Sequence, residues 1–243
     1  MLKKFGEAFQ ILIANLALVS AIVLTVWLPG NAWVYLATHH IGDESDAIRV
    51  TLRLTRFIEA IFGPLYVGAL IYAVSCLKQG WSVSYGEAMR AGLKNWGSLF
   101  GARLLAGLFV LLGLIALIVP GIILLLRYAF LDFAVVLEGA SSSMARSRSA
   151  HLTRDVRWQI LGAAVIFLLG YTAVSLVLYA PLALVSFLDN FVLNLFLDCL
   201  TSVLYVLLEI VLFLYYWEAV EKERAIYDTG DDLTPAPEFK LLG

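Results

Sequence analysis

The chain has 243 residues, of which 61% are hydrophobic and 15% are charged, and its formal net charge is −2. This composition, with a mean hydropathy of +0.87, excludes an ordinary soluble domain, and the lack of a dense basic run excludes a nucleic-acid-binding role. Cys76 and Cys199 lie within apolar runs, so we expect small buried side chains and neither a disulfide framework nor metal ligands.

Apolar runs between charged residues or Pro and Gly predict an all-α integral membrane protein with six transmembrane helices. Most runs have about 20 residues, the length that crosses a hydrocarbon core of about 30 Å. The first run follows Lys3 and Lys4 but is too long for a signal peptide, so we expect an uncleaved helix. The predicted spans are residues 9–28, 55–77, 98–119, 122–138, 159–181 and 194–217. They form one membrane domain, residues 1–227, followed by a disordered acidic tail, residues 228–243.

A short polar, amphipathic stretch precedes every second span. Residues 5–9 read Phe-Gly-Glu-Ala-Phe and residues 85–89 read Tyr-Gly-Glu-Ala-Met, while residues 143–147 are a looser copy. This repetition predicts three hairpin units in parallel orientation. Ser84 and Glu87 fit a capping box that opens a helix through about Lys94. Trp96 and Trp158 follow the second and third stretches, which is typical of helices lying in the membrane interface.

The longest outer connection, residues 29–55, carries a basic stripe. Arg49, Arg53 and Arg56 follow i, i+4, i+7 spacing and share one helical face if Ser45 caps a helix there. Such guanidiniums either bind lipid phosphates bidentately or pair locally with acids. The acids available for local pairing are Asp43, Glu44, Asp46 and Glu59. His39 and His40 also lie near these acids, but adjacent histidines in a flexible loop rarely form a metal site, so we predict none.

The third and fourth spans are separated only by Pro120 and Gly121. One continuous helix over residues 98–138 would be about 60 Å long, twice the thickness of the membrane core. We therefore predict a tight hairpin turn at Pro120 and Gly121, where proline breaks the helix and glycine takes the turn.

Several ionisable residues fall inside the predicted spans, where a charge is costly without a partner. Depth along the helices predicts two ion pairs, Arg103 with Glu209 and Arg127 with Asp198. Asp132 has no evident partner and is a candidate proton site. These charges either fasten the helices together or line a proton- or ion-coupled pathway; the single proline inside a span, Pro64, gives little support to the broken helices of a transporter.

Lysine and arginine placement predicts the orientation. The side of the termini would carry Lys3, Lys4, Lys78, Arg90, Lys94, Arg146, Arg148, Arg154, Arg157, Lys222, Arg224 and Lys240, and the other side only Arg49, Arg53 and Arg56. We therefore expect both termini to be cytoplasmic.

The middle of the chain carries a resemblance to a known family. Residues 118–128 (IVPGIILLLRY), 135–139 (VVLEG), 144–149 (MARSRS) and 157–161 (RWQIL) resemble the YciC-like bacterial inner-membrane family. The order is also similar to the membrane domain fused ahead of glycerophosphoryl diester phosphodiesterases. The resemblance implies a multi-pass protein of the bacterial inner membrane with no defined activity. Asp132 departs from the pattern, since relatives have an apolar residue or Pro there.

No enzyme motif such as HExxH, GxSxG or a phosphate-binding Gly-rich loop occurs. We therefore predict a non-enzymatic protein without cofactor or metal, which contacts phospholipid headgroups or scaffolds a membrane-protein partner. The candidate headgroup ligands are Arg49, Arg53, Arg56, Arg146 and Arg148. The alternative is a small transporter or channel that uses the intramembrane charges of the third, fourth and sixth spans.

Overall fold

The computed structural model describes residues 1–184 and 190–228, which form α-helices and turns without any strand. The helices in these two ranges are α1 (Leu2–Ala14), α2 (Leu16–Thr38), α3 (Glu44–Lys78), α4 (Tyr85–Ala116), α5 (Ile118–Arg127), α6 (Leu131–Glu138), α7 (Ser142–Leu152), α8 (Arg157–Leu184) and α9 (Phe191–Asp228). Six helical segments are long and apolar enough to cross a membrane: α2, α3, α4, α5 with α6, α8 and α9. Residues 229–243, most of the predicted tail, lie outside the described ranges.

The helices pack side by side in an order that follows the chain. Helix α2 contacts α3 and α9, α3 contacts α4, α4 contacts α5 and α6, and α8 contacts α9. At one end, here called the distal end, the Tyr35 ring lies 4.7 Å from the Phe191 ring. At the other, proximal end, the Lys4 ammonium donates to the Leu214 carbonyl oxygen at 3.1 Å. The termini of the described chain therefore share the proximal end.

The first span is displaced from its predicted position, residues 9–28. Asn15 separates α1 from α2 with a non-helical backbone (φ −123°, ψ 27°), and its side-chain amide donates to the Ile11 carbonyl oxygen at 3.0 Å. Helix α2 then continues through Pro29 to Thr38. Helix α1 packs along α9 with Ala8 and Leu12 buried. The first predicted interfacial stretch is thus part of the helical bundle.

The outer connection before α3 also differs from the sequence prediction. Helix α3 begins at Glu44, because Asp43 and not Ser45 is the N-cap: its carboxylate accepts the backbone N–H groups of Ser45 and Asp46. The predicted outer connection therefore shrinks to residues 39–43. The predicted capping box of Ser84 and Glu87 is confirmed.

Helix α4 runs without interruption from this capping box to Ala116. The second amphipathic stretch is therefore the first third of a spanning helix and not a separate interfacial one. Its glycine Gly92 lies directly against α3, because a Cβ there would overlap the Leu65 carbonyl oxygen. The Trp96 indole N–H donates to the Ile61 carbonyl oxygen at 2.6 Å, one residue after Ala60, whose carbonyl oxygen lacks its helical donor because Pro64 has no N–H.

The predicted turn at Pro120 and Gly121 is wrong by about one helical turn. The chain reverses at Leu117, whose backbone is extended (φ −162°, ψ 142°). Pro120 instead lies in the first turn of α5, where its missing N–H leaves no helical hydrogen bond unmade. Gly121 is needed for close packing, because a Cβ there would overlap Leu114 of α4.

Residues 128–130 separate helices α5 and α6, and a side chain of α7 forms hydrogen bonds with the backbone at this break. The buried Ser149 hydroxyl accepts the Phe130 backbone N–H at 3.0 Å and donates to the Arg127 carbonyl oxygen at 2.8 Å. Gly139 ends α6 in a left-handed conformation (φ 64°), which glycine adopts without strain. The predicted helix in this third stretch is confirmed as α7.

Candidate functional site

A charged cluster lies inside the bundle where α3, α4 and α6 meet. The Arg103 guanidinium forks around the Asp132 carboxylate: Nη2 lies 2.7 Å from Oδ2, and Nε lies 3.0 and 3.1 Å from the two oxygens. Both side chains are largely buried, at 26% and 18% exposure. A bidentate, charge-assisted pair of this kind fixes α4 to α6.

Helix α3 adds a second carboxylate to this cluster. Glu59 Oε1 lies 3.8 Å from Arg103 Nη1, and the Tyr66 hydroxyl donates to Glu59 Oε2 at 3.4 Å. Gly63 leaves the room for this arrangement, because a Cβ there would lie 2.8 Å from Glu59 Oε1 and 3.3 Å from Arg103 Nη1. Glu209 of α9 interacts electrostatically with Arg103 and forms no hydrogen bond with any described residue.

The geometry of the reversal at Leu117 explains this pairing. Arg103 and Asp132 lie at nearly equal distances from Leu117, each about 20 Å along its helix, so antiparallel packing of α4 against α5 and α6 places them at the same level. The predicted pair of Arg103 with Glu209 is therefore wrong, and so is the expectation that Asp132 lacks a partner. The predicted pair of Arg127 with Asp198 is also wrong, because Arg127 is exposed and Asp198 accepts from the Tyr179 hydroxyl.

A cavity of about 680 Å³ opens between α2, α3, α8 and α9 toward the distal end. Most of its wall is polar or aromatic, which is unusual inside a bundle of this hydropathy. The lining residues are Trp27, Asn31, Val34, Tyr35, Thr38, Thr51, Thr55, Arg56, Glu59, Tyr66, Tyr171, Asn194, Asp198, Thr201, Ser202 and Tyr205. Hydroxyl, amide and charged groups thus converge on one space.

The charged side chains of this wall differ in the hydrogen bonds and ion pairs that they already form. Glu59 is held by Tyr66 and Arg103, and Asp198 accepts one hydrogen bond from Tyr179. Arg56 forms no hydrogen bond or ion pair with any of the described residues. This cavity therefore presents a guanidinium that interacts with Glu59 only electrostatically and a carboxylate with one hydrogen bond.

An apolar groove lies on the other side of Glu59, between α3 and α4. It has a volume of about 480 Å³, and its wall consists of Phe100, Leu104, Gly107, Leu108 and Leu111, with Ala60, Glu59 and Arg103 completing it. Glu59 lines both the polar cavity and this apolar groove.

The three arginines of the predicted stripe are all exposed on α3 but differ in their contacts. Arg49 pairs with Asp46 at 3.4 Å on the exposed surface, Arg53 is exposed, and only Arg56 reaches the cavity. His39 stacks on Tyr35 with 5.2 Å between ring centres and lies 5.6 Å from the His40 ring. Among the described residues, no group of three or more His, Cys, Asp or Glu side chains could hold a metal ion.

A second ion-pair cluster lies at the proximal end, where α7 meets α6 and α9. Arg148 Nε lies 2.9 Å from a Glu138 oxygen, and both Nη atoms contact Glu223. The Tyr216 hydroxyl donates to Glu138 at 2.8 Å. Burial lowers the pKa of Arg148, but its hydrogen bonds to the two carboxylates outweigh this and raise it above the ordinary value.

The two predicted headgroup ligands on α7 therefore differ. Arg148 is held by the carboxylates of Glu138 and Glu223 through Nε and both Nη atoms, which balances its charge and leaves only two of its five N–H groups for another acceptor. The Arg146 guanidinium lies over the Phe109 ring, 5.0 Å from its centre, and its Nη1 is buried without a hydrogen-bond partner among the described residues.

The sequence prediction did not assign Glu59, Glu138 and Glu223 to these clusters. Glu59 could have been found, because it lies within the predicted second span, residues 55–77, where an acid requires a partner. The roles of Glu138 and Glu223 depend on the path of α7, for which no signal in the sequence was available.

Comparison with known proteins gives a family without a defined activity. No curated protein and no solved structure matches the chain. A family model does match residues 9–217, which includes all of the charged cluster, the cavity and the groove. The chain thus belongs to the family described as a domain of unknown function, DUF7847.

Proposed function

We propose that the protein is a non-enzymatic, multi-pass protein of the bacterial inner membrane that binds phospholipid headgroups. The observation that carries the proposal is the polar cavity of about 680 Å³ inside a bundle of apolar helices. A polar wall is costly at such a place unless a polar ligand or water fills it. The resemblance to the YciC-like family supports the assignment to this membrane.

An amphiphile fits the surroundings of the cavity better than a small polar solute does. The cavity offers hydrogen-bonding groups and the Arg56 guanidinium, while the groove beyond Glu59 offers an apolar wall of suitable length for an acyl chain. A phospholipid combines these two chemistries in one molecule, and arginine is well suited to a phosphate.

The proposed orientation places the cavity in the outer leaflet. We propose three hairpin units, formed by α2 with α3, α4 with α5 and α6, and α8 with α9, with both termini in the cytoplasm. The proximal end carries basic side chains such as Lys4, Lys78 and Lys222, in agreement with the positive-inside rule. The distal end, with the cavity, then faces the outer surface.

Native mass spectrometry of the detergent-extracted protein tests lipid binding. The wild type is compared with the Arg49/Arg53/Arg56→Ala variant, with Arg56→Gln, and with Arg53→Gln as the matched control. We expect a retained phospholipid that is lost from the first two variants and kept by the control. A bare wild-type protein, or lipid that all variants retain equally, would overturn headgroup binding at this cavity.

A small transporter is the second candidate, because of the position of Glu59. This carboxylate lines the cavity and also lies 3.8 Å from Arg103, which is paired with Asp132, so ionisable groups extend from the cavity into the bundle. A proton-dependent solute flux in proteoliposomes that Asp132→Asn abolishes, in a variant that remains folded, would favour transport. A scaffolding role would instead be supported by a membrane protein that co-purifies in a fixed ratio.

A further inference from the structure

We propose that the distal cavity binds a zwitterionic group, with its anionic part on Arg56 and its ammonium part on Asp198. The inference rests on the proposed function, since it names the class of headgroup that the cavity takes. Its chemistry is that of a phosphate or carboxylate joined to a primary ammonium, as in a phosphoethanolamine headgroup or a free amino acid.

The anionic part has two donors available in the cavity wall. Arg56, an exposed residue at the cavity wall, forms no hydrogen bond or ion pair with the described residues; it interacts electrostatically with Glu59, one helical turn along α3. Asn31 of α2 adds a buried amide nitrogen, Nδ2, whose only close polar neighbour in the described part of the chain is the weakly accepting sulfur of Cys199. A phosphate or carboxylate oxygen would satisfy both groups, whereas an apolar ligand would leave the buried amide unpaired.

The ammonium part has an acceptor on α9. Asp198 receives one hydrogen bond, from the Tyr179 hydroxyl, and has no ion pair with any described cation, so it retains acceptor capacity. Tyr171 and Tyr205 line the same cavity, with their ring centres 5.7 Å apart and their planes at 80°. Aromatic faces beside a carboxylate attract an ammonium group through cation–π interaction.

The balance of charge in and beside the cavity favours a ligand that carries a positive group. The cavity and the adjoining cluster contain the acids Glu59, Asp132, Asp198 and Glu209 and the bases Arg56 and Arg103. A purely anionic ligand would add to this excess of acid, and a purely cationic one would leave Arg56 without a partner. Arg56 and Asp198 line the same cavity without pairing with each other, so a ligand with both charges can engage both.

Three probes distinguish the headgroup classes on the purified full chain in detergent. Each of three lipids with matched acyl chains is titrated into the protein, and native mass spectrometry counts the bound lipid molecules. The lipids are phosphatidylethanolamine, phosphatidylglycerol and N-acetylated phosphatidylethanolamine. We expect phosphatidylethanolamine to bind at least about tenfold more tightly than the other two, a difference of about 1.4 kcal/mol. Glycine, added alone, tests a free zwitterion by its effect on thermal unfolding.

Four variants assign the two ends of the ligand. Asp198→Asn should lose the preference for phosphatidylethanolamine over phosphatidylglycerol, and Arg56→Gln should weaken both lipids. Tyr179→Phe keeps the carboxylate and should keep the preference, and Arg53→Gln should behave as the wild type. Circular dichroism melting in the same detergent establishes that each variant is folded.

The outcomes separate this inference from the proposed function. Equal or tighter binding of phosphatidylglycerol would overturn the zwitterion site while phospholipid binding stands. Binding of glycine but of no phospholipid, lost in Asp198→Asn, would support the zwitterion site and overturn headgroup binding. A protein that binds none of the probes would overturn both.

Discussion

Arg103 is the residue on which three segments of the bundle converge. Its guanidinium makes a bidentate contact with Asp132 and lies 3.8 Å from Glu59, so α3, α4 and α6 meet at one side chain. Burying these charges costs several kcal/mol per ion, and their mutual hydrogen bonds offset that cost. The cluster therefore defines the relative position of the helices more than it adds net stability.

Asp132→Asn should destabilise the protein by about 3 kcal/mol, since removing one partner leaves a buried charge without compensation. The loss of stability should lie at the lower end of the range for such pairs, because Glu59 still compensates part of the Arg103 charge. The measurement is the free energy of unfolding from denaturant titration in mixed micelles.

The double variant Arg103→Met/Asp132→Leu separates pairing from packing. Because Arg103 and Asp132 are each other's main partners, the loss of stability in the double variant should be smaller than the sum of the losses in the two single variants. Glu209→Gln is the matched control. Because this carboxylate has no hydrogen bond to the described residues, Glu209→Gln should lower the free energy of unfolding less than Asp132→Asn does. Additive losses in the double variant would contradict the pairing.

At the scale of single elements, α4 depends on small residues for its contact with α3. The Cα atom of Gly92 would lie 3.2 Å from a Cβ placed on Gly68, so the two backbones approach closely. Contacts of this type are common where membrane helices associate, because small side chains allow extensive backbone packing.

Gly92→Ala should destabilise the protein by about 1–3 kcal/mol, as overpacking of a tight interface does. The obstacle is the backbone of Leu65 and Ala69, which cannot rotate away as a flexible side chain can. Gly97→Ala on the same helix is the control, since nothing lies within 4 Å of a Cβ there; it should stabilise by about 0.5–1 kcal/mol through helix propensity. Equal effects of the two substitutions on the thermal unfolding midpoint would refute the close contact.

Arg148 is the side chain of α7 that contacts both α6 and α9, beside the hydrogen bond of Ser149 to Phe130 and the contact of His151 with Glu223 at 3.5 Å. Arg148→Gln removes the cation between Glu138 and Glu223. Because hydrogen bonds to charged groups contribute about 1.5–3 kcal/mol, the rate of backbone hydrogen exchange in residues 142–152 should increase by about tenfold or more. Arg146→Gln loses a weaker contact with the Phe109 ring, of about 0.5–1 kcal/mol, and should change the exchange less. Hydrogen-exchange mass spectrometry measures the exchange rate in both variants. An unchanged rate for the α7 peptide in Arg148→Gln would show that other contacts hold α7 in place.

The sequence predicted elements better than the contacts between them. Hydropathy located six segments that are long and apolar enough to span a membrane, and the capping box at Ser84 marked the start of α4 correctly. The ends of the helices were less predictable, because α2 accommodates Pro29 within the helix and α4 joins its amphipathic and apolar parts without a break. Both outcomes reflect packing between helices, which a single sequence does not reveal.

The partners of the charged residues were harder to predict for the same reason. A displacement of the reversal from Gly121 to Leu117 changes the level at which residues of α4 and α6 meet, and thereby the partner of Arg103. The residue types that form the cluster were nevertheless recognisable, because an ionisable side chain within a span requires a partner. The polar cavity was not foreseen, since its wall combines residues of four helices.

For the molecule as a whole, the unequal ends of the bundle determine how it should sit in a membrane. At the proximal end, Lys4 pairs with Glu218 and Lys78 with Glu7, and residues 146–157 contribute four arginines. The distal end has its basic residues close to acids, as in the pair of Arg49 with Asp46. This asymmetry predicts a cytoplasmic proximal end.

Cysteine labelling in intact cells tests this orientation. His40→Cys and Lys222→Cys are made separately, and native Cys76 and Cys199 are buried, which limits background labelling. A membrane-impermeant maleimide should label His40→Cys in intact cells and Lys222→Cys only after the membrane is opened, because the distal loop faces outward. The reverse pattern would place the cavity in the cytoplasmic leaflet, where the headgroup preference of Asp198 and Arg56 would act on a different population of lipids.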